Sequence, residues 1–443
     1  MERLYVTGYY WVILLVAALA WLIESYDIGI IGSALVPLKR LYHLGPGQVG
    51  LLAIASTVGI VVGVVPAGYL ADRLGRKRML MAGMVFYSLC TGLTGFASSW
   101  PFIALGRFVA GLGLGAVFPL PYTMLSEMSP SYMRGTAAGI LDSFLSLGYF
   151  ASPLLASLLI PRMDLEVGWR VLFWVGALPL VYTVVIWRLL PESPRWLEVK
   201  GRHAEAEAVL RRIEARIERS AGKPLPSVER RRAVKVVKDQ VPVAELWSGP
   251  FLRRTLMIWT TFGGVFFIFY AITSFMPTVL TKEGFGLAAS FGFTALIQGA
   301  AIPGKWLEAW VVERWGRRPT IAAFTLVAAA CAAVFGWLKT VPAIVAVAVV
   351  MSFFGIAADP AVKVYAAEQY PTRIRGVGTA FTEGVGRLIG GALAPYLFAL
   401  ILGGMGVAGS FWLVAGVALV AVVVVWAFGR ETRGELLEQA AEA

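Results

Sequence analysis

Long apolar stretches recur along the whole chain, and this recurrence constrains the fold more than any other feature. Each stretch, at about 20 residues, could cross the roughly 30 Å hydrocarbon layer of a bilayer as a helix. The composition agrees, because 58% of the 443 residues are hydrophobic and only 15% are charged, unlike an ordinary soluble domain. We therefore predict an all-α polytopic membrane protein with twelve transmembrane helices, near residues 9–37, 48–71, 79–98, 101–125, 135–160, 169–189, 253–280, 287–312, 319–338, 341–366, 375–402 and 408–429.

Lysine and arginine are unequally divided between the two sides of these helices. Of 39 such residues, 28 fall on the side that holds both termini and the long polar segment after residue 190, and six fall in the opposite loops. This bias places both termini in the cytoplasm and the protein in the cell membrane. The net charge of +12 then reflects topology and contact with the lipid bilayer, and it does not indicate a nucleic-acid partner. Cys90 and Cys331 lie within predicted helices, and neither a disulfide nor a metal site is predicted.

Two motifs occur twice, each time 241 residues apart. ADRLGRKRM at 71–79 resembles VERWGRRPT at 312–320, and SEMSPSYMRG at 126–135 resembles AEQYPTRIRG at 367–376. Two independent motifs with one offset indicate a chain built as two six-helix halves with the same orientation. Transporters of this construction bind their substrate near the bilayer midplane, between halves that move against each other.

The repeat suggests four regions in the chain. We expect a first bundle at 1–190, a cytoplasmic linker at 191–250, a second bundle at 251–430 and a cytoplasmic tail at 431–443. The linker segment at 203–220 places Val209, Ile213 and Ile217 at helical spacing, opposite a Glu/Arg face. This pattern predicts an amphipathic helix packed under the bundle, with docking of a partner as the alternative.

Ionisable residues inside the predicted spans are the candidates for function. Each costs on the order of 2.5–3.5 kcal/mol unless it is paired or faces water. Three pairs of opposite charge share a helix face, at spacings of three or four residues. For the first two pairs listed below, a structural ion pair that lines the cavity is as good an interpretation as a function in binding. The pairs are Lys305–Glu308, Asp359–Lys363 and Glu383–Arg387.

Glu24 and Asp27 differ, because they are like charges on one face of the first span. Two nearby carboxylates in a low dielectric cannot both ionise at low cost, so one should hold a proton. Arg107 of the fourth span is the candidate partner that decides which one. We interpret the pair as a proton-coupling site; in the alternative, Glu24 is a structural partner of a basic residue and Asp27 titrates alone.

Arg387 is the strongest candidate for a substrate ligand, because a guanidinium can hold a carboxylate with two hydrogen bonds. Glu383 could hold Arg387 when the site is empty, and Asp359 and Lys363 could line the same cavity. Aromatic side chains could supply the flat walls that a small ring prefers, although each one taken alone is more often part of the core. These are Tyr122, Trp259, Phe262, Phe266, Tyr270 and Tyr365.

Several motifs resemble one superfamily over essentially the whole chain. GYLADRLGRKR at 68–78, GRFVAGLGLG at 106–115 and PESPRW at 191–196 resemble the major facilitator superfamily. WLIESYDIGI at 21–30, EQYPTRIRG at 368–376 and VGRLIGG at 385–391 are most similar to its niacin-transporter, synaptic-vesicle-glycoprotein-2-like and organic-ion-transporter group. The resemblance implies a function in coupling for Asp142 beside Glu24, Asp27 and Arg107. It also implies cytoplasmic gates that open and close as the halves move, built from Asp72, Arg73, Arg76, Glu127, Arg134, Glu313, Arg314, Glu368 and Arg375.

The residues and the resemblance together predict proton-coupled symport of a small organic anion, aromatic or short, by a monomer without a cofactor other than the proton. The alternatives within the same fold are an organic cation, a zwitterion, a sugar-like neutral solute or a facilitative uniporter. A protein that binds without transporting is a further class, against which the acidic pair argues. An enzyme is not expected, because His43 and His203 are the only histidines and lie outside the spans.

Overall fold

The computed structural model describes residues 5–130, 133–226, 243–370 and 372–433. In these ranges, eleven helices are long and apolar enough to cross a membrane, and the remaining predicted span forms the less apolar helix Arg76–Thr94, which begins with three basic residues. The predicted twelve-helix fold is therefore confirmed. In chain order the helices are α1 Gly8–Leu41, α2 Pro46–Leu74, α3 Arg76–Thr94, α4 Trp100–Met128, α5 Gly135–Arg162, α6 Leu165–Leu189, α7 Phe251–Lys282, α8 Leu287–Trp315, α9 Arg317–Phe335, α10 Val341–Glu368, α11 Val377–Gly404 and α12 Gly406–Phe428.

Several of these helices are interrupted close to a proline. α4 consists of Trp100–Val117 and Leu120–Met128, and α10 of Val341–Gly355 and Ala358–Glu368. Proline lacks the N–H that would continue the helix, and its ring collides with the preceding turn. Pro119 and Pro360, at the two breaks, are 241 residues apart, so the internal repeat extends to the interruptions of the helices.

α11 changes helix type in its middle. The α-helical segment Thr372–Gly386, which includes the start of α11, is followed by a π-helical turn, Arg387–Leu393, and then by the α-helical segment Ala394–Gly404. π-Helical turns are rare and frequently lie at functional sites. This one begins at the arginine that the sequence selects as a substrate ligand.

By their contacts, the helices form two compact units. Unit 1 contains residues 1–30, 58–149 and 169–234. Inside it, α3 packs along α4 and against α6. Its core includes the fully buried side chains of Leu14, Tyr87, Leu114, Trp169 and Phe173.

Unit 2 contains residues 31–57, 150–168 and 235–443. Inside it, α12 packs against both α7 and α9. The end of α1 that follows Ile31 lies directly on α7, because a Cβ atom at Gly32 would lie 2.4 Å from the carbonyl oxygen of Thr273. The two units thus do not coincide with the two halves predicted from the internal repeat. The division of the sequence into those halves remains a prediction.

The linker contributes two described helices to unit 1, Pro194–Val199 and His203–Ala221. In the longer one, which we call the linker helix, Ile213 and Ile217 are buried against Tyr5 and Tyr9. The opposite face is charged and exposed. Residues 227–242 of the predicted linker and 434–443 of the predicted tail lie outside the described ranges.

Candidate functional site

A fully buried ion pair joins α1 to α4 in unit 1. The Arg107 Nη1 atom lies 2.9 Å from Asp27 Oδ2, and Nη2 donates a second hydrogen bond of 2.8 Å to the Asp27 main-chain carbonyl. Thr91 of α3 accepts a longer bond of 3.4 Å from the same guanidinium. Both the side chain and the backbone of Asp27 therefore hold the arginine. The sequence selected Arg107 as the candidate partner of the acidic pair, and the structure brings it together with Asp27.

The second oxygen of the same carboxylate is differently placed. Asp27 Oδ1 is buried and has no hydrogen-bond partner among the described residues. Glu24, one turn earlier, is also fully buried, and Tyr87 of α3 lies within the electrostatic reach of both carboxylates. Each acidic group is thus shielded from bulk water in this arrangement, while one oxygen of Asp27 can receive a proton without losing a bond.

Tyr122 lies in unit 1 with an aromatic partner that the sequence analysis did not select. Its ring stacks on Trp21 of α1, with centroids 6.3 Å apart, and Trp21 also stacks on Phe118 and donates to the Phe118 carbonyl oxygen. Trp21 is one turn before Glu24, a position that could have identified it. Asp142 is half-buried on α5 in the same unit, and its function in coupling stays a prediction.

Arg387 lies at the centre of a cluster between α7 and α11 in unit 2. Its Nη2 atom donates to Glu383 Oε1 at 3.1 Å, and Nη1 donates to the Tyr270 hydroxyl at 3.4 Å. The guanidinium carbon lies 5.7 Å from the centroid of Phe266, within range of a cation–π interaction. The structure therefore brings together the predicted arginine, its predicted acidic neighbour and two of the predicted aromatic residues.

Glycines of α11 explain how the aromatic residues of α7 approach the arginine so closely. A Cβ atom at Gly386 would lie 2.1 Å from a ring carbon of Phe262, and one at Gly390 would lie 2.3 Å from Phe266 Cβ. Small residues allow helices in a membrane to approach to backbone distance. Phe262 itself packs edge to face on Phe266, with centroids 4.6 Å apart. We call Phe262, Phe266, Tyr270, Glu383 and Arg387 the arginine cluster.

Charged side chains of α10 border this cluster. Lys363 Nζ lies 2.7 Å from Asp359 Oδ2, so the predicted pair at i,i+4 is formed. Asp359 is buried and lies within the electrostatic reach of Tyr270, whereas Lys363 is partly exposed. Lys305 and Glu308 are both buried on α8, and a function for them in binding stays open.

Two further aromatic residues that the sequence predicts as cavity walls, Trp259 and Tyr365, have partners outside the arginine cluster, and their function in binding stays a prediction. Trp259 packs edge to face on Trp247 of the linker, with centroids 5.2 Å apart. Tyr365 is completely buried and donates a 2.7 Å hydrogen bond to the Arg430 carbonyl oxygen. Each of these side chains thus has its described partner near the linker end of its helix.

The residues predicted as gates form a network at the linker end of unit 1. Asp72 pairs with Arg76 at 2.5 Å, and the Asp72 carbonyl oxygen accepts a 2.8 Å hydrogen bond from the Trp196 indole. Arg73 lies over the Tyr69 ring. Glu192, in the PESPRW motif, accepts a 3.1 Å hydrogen bond from the Lys77 amide and so caps the N-terminus of α3.

The equivalent end of unit 2 repeats this arrangement. Glu368 accepts from Arg317 Nε and from the Thr432 hydroxyl, and Glu313 lies 3.5 Å from Arg317. Glu431 accepts from the amides of Arg317 and Arg318, at 2.9 and 3.0 Å, and so caps α9 as Glu192 caps α3. Among the other predicted gate residues, Arg314 stacks on Trp310, Arg375 donates to the carbonyls of Ala367 and Tyr370, Glu127 is half-buried, and the side chain of Arg134 lies outside the described part.

Three residues of these end networks were missed by the sequence analysis. Arg317 is related to Arg76 by the offset of 241 residues, so the repeat itself could have found it. Glu192 and Glu431 are followed by Ser193 and Thr432, and each carboxylate also accepts from the amide of that hydroxyl residue. The dipeptides Glu-Ser and Glu-Thr could have identified these two caps. They are 239 residues apart, however, and so do not match the offset of 241 residues that defines the repeat.

Comparisons with known proteins agree with this architecture. Residues 13–443 match the family described as "Sugar (and other) transporter". The niacin transporter NiaP of Acinetobacter baylyi is 34% identical, over 99% of this chain and 98% of its own length. The 4-hydroxybenzoate transporter PcaK of the same species is 27% identical, over 89% and 85%. In fold, the chain is similar to the xylose transporter XylE from E. coli in an inward-open conformation, with a TM-score of 0.78, 18% identity and coverage of 97% and 99%.

The match covers nearly the whole chain, and the twelve helices agree with it. The resemblance to the major facilitator superfamily is confirmed. The chain belongs to the sugar (and other) transporter family of that superfamily, and it is a multi-pass transporter of the cell membrane rather than an enzyme.

Proposed function

We propose that this protein imports a small aromatic carboxylate together with a proton, by rocker-switch alternating access. The observation that carries the proposal is the arginine cluster: a buried guanidinium beside aromatic rings and a tyrosine hydroxyl. The relatives support the choice of substrate class, because niacin and 4-hydroxybenzoate are both aromatic rings that carry one carboxylate.

The chemistry of the cluster suits such a ligand. Arg387 can hold a carboxylate with two parallel hydrogen bonds, which a neutral solute cannot match in strength. Its existing partner, Glu383, is partly exposed at 39% of its side-chain surface, so a substrate carboxylate can replace it at modest cost. The rings of Phe266 and Tyr270 then offer faces and edges for an aromatic ligand.

Proton coupling is assigned to the Asp27–Arg107 pair. A buried carboxylate that loses its charge weakens its hold on a buried arginine, so protonation and the arrangement of α1 and α4 must influence each other. Glu24 is placed to share the proton, because it lies one turn away on the same helix. Asp142 is a further candidate, because the resemblance to the superfamily implies a function in coupling for it.

The test is uptake by proteoliposomes under an imposed pH gradient, acid outside. Nicotinate and 4-hydroxybenzoate would be compared with nicotinamide, benzylamine and xylose, as a neutral aromatic, a cationic aromatic and a sugar of comparable size. We expect gradient-driven accumulation of the two acids and none of the other three. Accumulation of the amine but not the acids would refute the anion proposal.

Coupling is tested separately in the same vesicles. If the proposal holds, collapse of the pH gradient with a protonophore abolishes accumulation but leaves exchange of labelled for unlabelled acid. Equal entry with and without the gradient would instead identify a facilitative uniporter.

A further inference from the structure

A groove of about 940 Å³ opens at the linker end of unit 1, on the side of α3 and α6. Most of it is formed by three elements, the first turns of α3, the last turns of α6 and the linker helix, and Tyr9 of α1, Leu190, Pro191, Glu192, Trp196 and Leu197 also line it. The groove belongs neither to the Asp27–Arg107 pair nor to the arginine cluster, and the proposed transport leaves it without a function.

Each of the three elements contributes an exposed arginine to the groove. Arg78 comes from α3, Arg188 from α6 and Arg212 from the linker helix. In the described part of the chain, none of the three forms a hydrogen bond or an ion pair. Arg212 is also close enough to Lys77 for the two cations to repel each other. Glu205 lies within the electrostatic reach of Arg78, but it is hydrogen-bonded to Arg202 instead. Three guanidinium groups that line one groove without a bound counter-charge favour an anion.

The other charged groups of the groove do not supply that anion. Glu205 is bound by Arg202 through two hydrogen bonds of 2.7 and 2.6 Å, which hold the pKa of Glu205 below its usual range. Glu192 is engaged in capping α3. Lys77 donates to the carbonyl oxygen of Trp187, a neutral acceptor. A net positive charge therefore remains in the groove.

The wall of the groove that runs along α3 and α6 is apolar and exposed. Val85, Phe86 and Leu89 of α3 and Trp187 of α6 line it and leave 36%, 44%, 47% and 60% of their surface accessible. On membrane-spanning helices such surfaces face lipid chains. Basic groups at one end and an apolar wall leading into the membrane are complementary to a phosphate headgroup with acyl chains, whereas an inorganic anion would contact only the basic groups.

We propose that this groove is a binding site for an anionic phospholipid of the leaflet on the linker side. The phosphate would lie among Arg78, Arg188 and Arg212, and an acyl chain would lie along Phe86 and Leu89. The lysine and arginine bias places this side in the cytoplasm, where anionic lipids supply the negative surface potential. A bound lipid would also tie the linker helix to α3 and α6.

Purified full-length protein would be titrated with phosphatidylglycerol, with phosphatidylcholine of the same chains and with inorganic phosphate, and bound lipid counted by native mass spectrometry. We expect phosphatidylglycerol to bind at least about tenfold more tightly than phosphatidylcholine. The variant R78Q/R188Q/R212Q should lose at least about tenfold of that affinity. Displacement of the lipid by millimolar inorganic phosphate would overturn the proposal in favour of a free-anion site.

The matched control is R195Q/K200Q/R433Q, which removes the same charge from exposed positions outside the groove. It should keep its affinity for phosphatidylglycerol within about twofold. An equal loss in both variants, or equal binding of the two lipids by the wild type, would show that a general field and not a site attracts the lipid. Circular dichroism would verify that both variants are folded.

A second readout locates the acyl chain. Phosphatidylglycerol with dibrominated chains should quench Trp187, measured as the difference in fluorescence between the wild type and W187F. The difference should vanish in R78Q/R188Q/R212Q and persist in the control variant. Quenching that is unchanged in the triple variant would place the lipid elsewhere and contradict the proposal.

Discussion

At the scale of single residues, the two carboxylates of the acidic pair on α1 have different surroundings. Asp27 is the residue that Arg107 holds, through its carboxylate and its main-chain carbonyl. Sequence spacing could indicate that Glu24 and Asp27 share a face. It could not indicate which of them meets Arg107, because the rotation of α4 about its axis decides that contact.

Asp27→Asn should abolish accumulation driven by a pH gradient and leave exchange of substrate intact. The amide cannot take up or release a proton, but its oxygen can still accept the hydrogen bond from Arg107. The measurement is uptake and counterflow in the same proteoliposomes. If Asp27→Asn still concentrates its substrate, the coupling function moves to Asp142 or Asp359.

Arg387→Ala should weaken substrate binding by about 100-fold, because a charge-assisted bond contributes up to about 3 kcal/mol. Binding is measured by isothermal calorimetry on purified protein. Tyr270→Phe is the control in the same cluster: it removes one 3.4 Å hydrogen bond and should cost less than about tenfold. A fully active Arg387→Ala would contradict the assigned substrate site.

At the scale of helices, the positions of the spans could be predicted from the sequence, but the buried side of each span often could not. Twelve apolar runs were enough to place the twelve spans, because the length needed to cross a bilayer is fixed. Where a helix is apolar on all sides, the sequence pattern does not predict which side of the helix faces the protein interior. Tyr365 shares a segment of α10 with Asp359 and Lys363 and was assigned to the wall of the same cavity, but its hydroxyl donates to the Arg430 carbonyl oxygen, just after α12.

The π-helical turn and its glycines were also beyond the sequence analysis, although they position Arg387. Gly390→Ala should lower the free energy of unfolding by about 1–3 kcal/mol, because the new Cβ would lie 2.3 Å from Phe266 Cβ. Gly384→Ala is the matched control on the same helix, since a Cβ there meets nothing within 4 Å. It should be neutral or stabilise by up to about 1 kcal/mol. Denaturant titration of both variants measures the difference, and equal stabilities would show that α7 and α11 can separate freely here.

The carboxylate caps make a prediction for both ends of the repeat. Glu192→Gln and Glu431→Gln should each lower the free energy of unfolding by about 1 kcal/mol, because each carboxylate accepts amides at the positive end of a helix. The larger loss is expected for Glu431, which accepts two amides of α9. Glu207→Gln, which removes an exposed charge from the linker helix, is the control and should change little. If only one of the two substitutions lowers the free energy of unfolding, the two caps have similar geometry but do not stabilise the protein equally.

At the scale of the whole molecule, the two candidate sites lie in different compact units. The Asp27–Arg107 pair belongs to unit 1, and the arginine cluster belongs to unit 2. The internal repeat predicted two related halves. It could not predict that residues 31–57 and 150–168 would join the second unit, because that depends on close approaches such as the one at Gly32. A proton and a substrate bound in separate units can be coupled only through conformations that both of them favour.

Symport then requires that the proton and the substrate each raise the affinity for the other, since the coupling free energy is reciprocal. Nicotinate should therefore stabilise the wild-type protein against heat more at pH 5 than at pH 8, because the coupling proton of the proposed symport is more available at the lower pH. In Asp27→Asn, whose side chain is neutral at both values, the stabilisation should be the same at pH 5 and pH 8 and close to that of the wild type at pH 5. Arg387→Ala should show none at either pH. The measurement is the shift in unfolding temperature over a nicotinate titration. If the wild-type shift is the same at both values of pH, the two sites are not coupled and the protein is a uniporter.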